Sequence, residues 1–199
     1  MANILLGITG GIAAYKACDV ISGLLATGHK VKTIMTENAT KFITPLTIES
    51  VSGGEVHTSM WERRTSIKHI ELATWADVFL VYPATVNIMA KFANGIADDL
   101  LSTTFMALPL DKCRIVICPA CNTRMYEHPI NVKNMRTLLF AFTDILNHIH
   151  RPVIHFIEPV VGRLACGDVG KGKAEEPRKV VEFVNKLLED EDAALEIPS

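Results

Sequence analysis

Four short segments of this 199-residue chain carry residue types that can do chemistry. Thr9-Gly10-Gly11-Ile12 follows an apolar run, and glycines there let backbone N–H groups approach a phosphate at a helix N-terminus. The spacing of Gly7, Gly10 and Gly11 is not G-x-G-x-x-G, and the second strand closes at Thr36 with no acid placed for a ribose. Dinucleotide binding therefore loses ground to a mononucleotide phosphate such as that of FMN; a tight turn without a ligand uses the same residues. In the second segment, Ser66 to Leu72 followed by Trp75-Ala76-Asp77, His69 stands just ahead of an apolar strand. Imidazole suits proton transfer or carboxylate binding near neutral pH, although a surface or core histidine is the plainer reading. The third, Cys118-Pro119-Ala120-Cys121, has the spacing of thioredoxin-like redox sites. Here it straddles the end of a strand, so Cys118 is expected in the core, with Pro119 and Asn122 making the turn. The fourth, Arg163 to Lys173, holds Gly167, Gly170 and Gly172 among four charges. It reads as a mobile flap with Cys166 exposed near cations, a setting that favours a reactive thiol. His148, His150 and His155 include an H-x-H pair, but no Asp, Glu or Cys completes a ligand set, so no metal is expected.

The elements that must position these segments alternate between strand and helix. Asn3 to Ile8 reads as a strand, residues 12–25 as a helix stopped by Gly28, and Val31 to Met35 as a second strand. That β-loop-α-β unit demands a parallel sheet. A short helix surrounds Pro45. Val78 to Val81 is a buried strand ending at Tyr82-Pro83, and two helices, Val86 to Ala93 and Asp98 to Ala107, are broken apart at Asn94-Gly95. Arg114 to Cys118 is a strand, Asn131 to Phe140 a helix, Val153 to Ile157 a strand, and Pro177 to Leu188 a C-terminal helix. The expectation is an α/β fold: a single-domain, doubly wound (Rossmann-like) parallel sheet with helices on both faces, a flavodoxin-like flavoprotein over residues 1–188 with a substrate clamp at about 160–174. Ligands in such sheets sit beyond the carboxyl ends of the strands, where the glycine-rich and polar segments fall. Glu189 onward carries five acids and no base and is expected to be a frayed tail, residues 189–199.

Composition narrows the function. Apolar residues are 49% and charged residues 21%, enough for one buried core. The formal net charge of -2 offers no basic field for nucleic acid and no polybasic patch for membrane. No apolar run approaches the ~20 residues that span a bilayer. The start reads as a first strand, without a basic leader or cleavage site, and a cytoplasmic enzyme is expected. Five cysteines, an odd number, argue against a disulfide framework.

Taken together and in order, the segments resemble the homo-oligomeric flavin-containing cysteine decarboxylases over about residues 3–185. The resemblance rests on Gly10-Gly11-Ile12-Ala13-Ala14-Tyr15-Lys16, His69 to Asp77, Pro83-Ala84-Thr85-Val86-Asn87, Pro119 to Tyr126 and Ala165-Cys166-Gly167-Asp168. One departure stands out: Cys121 occupies a position where the family usually has Met. The resemblance implies FMN held by Gly10, Gly11, Ile12, Thr36, Thr85, Val86, Asn87, Ile88 and Ala120. It implies His69 as base or carboxylate partner, Asn122 on the substrate carboxylate, Arg163 on the clamp or substrate, and Cys166 as proton donor. It also implies the reaction: 4'-phospho-N-pantothenoylcysteine is oxidised transiently to a thioaldehyde, loses CO₂, and is re-reduced from the enethiol to 4'-phosphopantetheine for coenzyme A synthesis. The expected assembly is a trimer or a multiple of trimers with flavin at the subunit interface. The alternatives are a peptidyl-cysteine decarboxylase of lantibiotic maturation and a non-catalytic regulatory flavoprotein.

Overall fold

The structure is a computed structural model that describes residues 1–61, 67–142 and 151–195. Six strands form one parallel sheet: β1 (Asn3–Ile8), β2 (Lys30–Met35), β3 (Val56–His57), β4 (Val78–Ala84), β5 (Arg114–Pro119) and β6 (Ile154–Phe156). Their spatial order is β3-β2-β1-β4-β5-β6. The chain winds outward from β1 through β2 to β3, then returns to β4 beside β1 and winds the other way. This is the doubly wound order, and its reversal lies between β1 and β4.

Strand alternation builds two cores. Ile4, Leu6 and Ile8 point to one face, where α1 (Ala17–Ala26), α2 (Pro45–Ser52) and the C-terminal helix pack through Val20, Ile21, Leu24, Ile48, Val180 and Val184. Leu5, Phe79, Val81, Ile115 and Ile117 point to the other. That face is covered by α3 (Lys68–Trp75), α4 (Val86–Ala93), α5 (Leu100–Met106) and, after the four-residue α6 (Thr123–Tyr126), α7 (Pro129–Ala141). Phe92 and Phe105 stack there with ring centroids 4.0 Å apart. β4 and β5 are buried at every position, as strands covered on both faces must be. Helix α5 starts from a reciprocal cap, in which Ser102 N–H donates to Asp99 and Asp99 N–H donates to the Ser102 hydroxyl.

Four local differences from the sequence reading have physical causes. The helix expected from Ile12 opens as a 3-10 turn over Ile12–Lys16 before α1 begins. His69 lies in the first turn of α3, not in an extended lead to a strand, because Lys68, Leu72 and Ala73 recur at helical spacing on a buried face. Segment 160–173 is a two-stranded antiparallel hairpin, β7 (Val160–Arg163) with β8 (Val169–Lys173). The last helix, α8, runs Pro177–Leu195, past the expected stop at Leu188, so Glu189 to Asp192 are written on helix.

One residue ties the two halves of the winding together. Thr9 is 2% exposed; its hydroxyl donates to the Pro83 carbonyl at 2.6 Å and accepts from the Thr85 N–H at 3.0 Å. It clamps the end of β1 to the end of β4 at the reversal point. Tyr82, at the same end of β4, donates its hydroxyl to the Glu175 carbonyl at 2.8 Å and holds the approach to α8. Thr9→Val keeps the shape but takes the hydroxyl away from a buried carbonyl and a half-buried N–H. The expected cost is about 2–4 kcal/mol, read as a lower urea midpoint at unchanged slope.

Candidate active site

Beyond the carboxyl ends of β1, β4 and β5 lies a cavity of about 500 Å³. Its walls come from the loop after β1 (Gly10, Gly11, Ile12), the 3-10 turn (Tyr15, Lys16), the end of β4 (Pro83, Thr85, Val86), the turn after β5 (Ala120, Cys121, Asn122) and the hairpin. The loop after β1 turns on itself, with Gly11 N–H bonded to the Thr9 carbonyl at 3.0 Å. Gly10 is required sterically: a Cβ there would stand 2.4 Å from the Cβ of Asn38 and 2.8 Å from its carbonyl carbon. Thr85 caps α4 by accepting from Ile88 N–H at 3.4 Å.

The hairpin closes one side through its backbone. Cys121 N–H donates to the Gly172 carbonyl at 3.0 Å. A Cβ on Gly172, whose φ is 154°, would sit 2.1 Å from the Cys121 carbonyl oxygen. Lys171 lies over the Tyr126 ring at 5.4 Å and pairs with Glu158. At the tip, Leu164 N–H bonds to the Asp168 carbonyl at 2.8 Å and Gly167 N–H to the Leu164 carbonyl at 2.9 Å, a turn that brings Cys166 to the cavity.

The Cys166 thiol is exposed and held between two side chains. Asn122 Nδ2 donates to Sγ at 3.2 Å, and Sγ faces Asp168 Oδ2 at 3.5 Å. The Oδ1 of Asn122 is already committed, accepting from Arg124 N–H at 2.9 Å, which fixes the amide so that Nδ2 points at the sulfur. The other thiols differ in setting. Cys118 is 1% exposed and burial pushes its ionisation far up; burial also raises Cys121 to about 11, so both stay protonated at neutral pH.

Among the described residues, three cations line the cavity, Lys16, Arg163 and Lys173, and no acid does. The rest of the lining is mostly apolar, from Ile12, Val86, Ala120, Met125 and Leu164. Such a cavity suits a flat apolar ring system carrying negative charge at its edges.

Of the residues expected from sequence, Gly10, Gly11, Ile12, Thr85, Val86, Ala120, Asn122, Arg163 and Cys166 come together around this space. Four do not line it. Thr36 sits at the end of β2, where its hydroxyl accepts from Ala39 N–H at 3.3 Å. Asn87 is exposed on α4, and Ile88, 1% exposed, has its side chain in the core. His69 is half-buried on α3, which packs against α5. His148 and His150 lie outside the described residues. His155 is on β6 with its ring 5.9 Å from Phe183, and burial lowers its proton affinity. Sequence reasoning did not single out Lys16, Lys173 or Asp168 as site residues. Lys16 and Asp168 were visible at the ends of two motifs; Lys173 shows only once the hairpin register is known.

The chain matches the Flavoprotein family over residues 1–189. It is 43% identical over 194 residues to the "Coenzyme A biosynthesis bifunctional protein CoaBC" of Bacillus subtilis (strain 168); the match spans 96% of this chain and 44% of that relative, less than half its length. Among solved structures it is similar to a Cys→Ser mutant of PPC decarboxylase complexed with pantothenoylaminoethenethiol, at 26% identity and a TM-score of 0.77 over 94% of this chain and 98% of that one. It is likewise similar to "The FMN binding protein AtHal3", at 28% identity and a TM-score of 0.76 over 95% and 97% of the two chains. With a family match running from the first strand into the last helix, and solved structures of similar fold, this chain belongs to the Flavoprotein family.

Proposed function

We propose that the chain is an FMN-dependent decarboxylase converting 4'-phospho-N-pantothenoylcysteine to 4'-phosphopantetheine in coenzyme A synthesis. The observation that carries this reading is a thiol held between an amide and a carboxylate at an apolar cavity whose charged lining, among the described residues, is all cationic. The likeness to a PPC decarboxylase and to an FMN binding protein supports it.

The residues present fit FMN: Gly10, Gly11 and Ile12 offer backbone to a phosphate at the reversal point, while Val86 and Ala120 offer small apolar surfaces to a ring. Bound FMN supplies a reversible two-electron acceptor, the electron sink that decarboxylation of an ordinary carboxylate needs. The chain's own groups do the rest. Asn122 Nδ2 carries a second N–H beyond the one given to Cys166 Sγ, and this donor binds the substrate carboxylate and so positions the bond that breaks. After CO₂ leaves, Cys166 donates its proton to the carbon of the enethiolate, and the hairpin that carries it shields that species from water. His69 serves as base or carboxylate partner. It stands off the cavity in a single chain, which supports a homo-oligomer, a trimer or a multiple of trimers, in which a second copy delivers His69 to a flavin bound between subunits. Among the described residues no helix is long and apolar enough to cross a membrane; we place the enzyme in the cytoplasm.

Purified protein is expected to be yellow, to show a flavin absorption band, and to release CO₂ from phosphopantothenoylcysteine; a colourless protein without flavin after reconstitution defeats the reading. His69→Asn should retain flavin and lose roughly 10²–10⁴-fold in turnover, and unchanged CO₂ release removes His69 from the mechanism. Cys166→Ser should still release CO₂ but accumulate the oxidised enethiol, seen by mass spectrometry. Light scattering should give three chain masses or a multiple of three, and a fully active monomer contradicts delivery of His69 by a second copy.

A further inference from the structure

The hairpin meets α6 along a face with almost no side chain in it. A Cβ on Gly170 would stand 2.3 Å from Thr123 Oγ1, and one on Gly172 would stand 2.1 Å from the Cys121 carbonyl oxygen. The fit is close, yet among the described residues it yields a single main-chain bond, from Cys121 N–H to the Gly172 carbonyl at 3.0 Å. Thr123 Oγ1, buried against Gly170, has no hydrogen-bond partner at all. Side chains at the two ends of α6 must therefore supply the rest of the hold. At its start, Asn122 gives an N–H to Cys166 Sγ at 3.2 Å. At its end stands Tyr126, 9% exposed, with its carbonyl accepting from Asn131 Nδ2 at 2.8 Å. Lys171, between the two glycines of β8, sets its ammonium 5.4 Å from the centroid of the Tyr126 ring and pairs with Glu158, just ahead of β7. Lys173 on the same strand is differently engaged: its partner is Glu176, which also serves Lys16, so it ties the foot of the hairpin to the lead into α8.

The two contacts at the ends of α6 differ in what catalysis asks of them. The contact of Asn122 with Cys166 lies in the cavity and must loosen when substrate enters and the thiol gives up its proton. Lys171, Tyr126 and Glu158 do not line the cavity, so no ligand displaces them. We propose that Lys171 is a positioning residue: its ammonium, seated between the Tyr126 ring and the Glu158 carboxylate, latches the hairpin onto α6 and keeps Cys166 over the enethiolate until its proton is delivered. The proposal rests on the decarboxylase reading and names the contact that times the opening of the flap. If the hairpin opens early, the enethiol leaves two hydrogens poorer than the normal product. The two electrons it leaves on the flavin then pass to dioxygen, giving hydrogen peroxide. An exposed ion pair and one cation–π contact together shift a closed-to-open ratio about 3–10-fold, a scale suited to a latch that must release in every cycle.

Two readouts on flavin-loaded protein test this. The first, without substrate, is hydrogen exchange by mass spectrometry over residues 119–126 and 160–173. The second, with phosphopantothenoylcysteine, is the ratio of escaped enethiol and hydrogen peroxide to phosphopantetheine. In Lys171→Met exchange should quicken and the escape ratio rise, each about 3–10-fold, while CO₂ release changes less than either. Lys171→Arg, which keeps the charge and its place over the ring, should restore both. Glu158→Gln should give part of the effect. Tyr126→Phe, which keeps the ring face, should match wild-type, whereas Tyr126→Leu should match Lys171→Met; the two changes at exposed side chains decide the matter if Tyr126→Leu folds poorly. Unchanged exchange in Lys171→Met overturns the latch, and quickened exchange at an unchanged escape ratio overturns its part in proton delivery. Flavin-loaded wild-type protein that releases no CO₂ overturns the decarboxylase reading itself, while the exchange measurement still decides whether Lys171 holds the hairpin.

Discussion

A parallel sheet whose winding reverses direction leaves a crevice at the reversal that no crossover covers, since the connections depart to opposite sides. In this chain the crevice lies between β1 and β4, and the buried Thr9 hydroxyl holds its two lips together. The glycine loop, the Thr85 cap of α4 and the turn after β5 all hang from that point. Their separation in sequence, from Gly10 to Asn122, means little once the strand order is set. The two cores on either side of the sheet fix the strand ends from which the loops around the crevice hang.

The charge lining the crevice differs in sign from that of the chain as a whole. The chain as a whole is slightly acidic, yet the charged residues described along the cavity are cations. Acids are present nearby but face away or are committed: Glu158 to Lys171, Glu175 to Lys179, and Asp168 toward the Cys166 sulfur. Local arrangement, not net charge, sets the field inside the crevice.

The doubly wound class was legible because β1, β4 and β5 are short apolar runs bounded by glycine or proline, and because a β-loop-α-β unit admits few arrangements. Most of the cavity was legible for a related reason: the polar and glycine-rich segments had to fall at strand ends. Legibility failed where tertiary contacts decide. The hairpin reads as a loop in sequence, since Gly162, Gly167, Gly170 and Gly172 suppress strand propensity, and only docking against Cys121 and Tyr126 reveals why it pairs. His69 read as a lead to a strand because the turn at Ala76 separates α3 from β4 by only two residues. The charge sharing at Glu176 was invisible, as its partners lie 160 and 3 residues away and only the former crosses the fold.

The dock between the hairpin and the turn after β5 is made by main-chain atoms, the N–H of residue 121 and the carbonyl of Gly172. A bond of that kind does not depend on which side chain residue 121 carries. The side chain at position 121 therefore bears on the width and softness of the cavity wall, while the dock of the hairpin rests on the main chain. Position 121 is thus a place where a change of side chain reshapes the cavity and leaves the hairpin's anchoring bond in place.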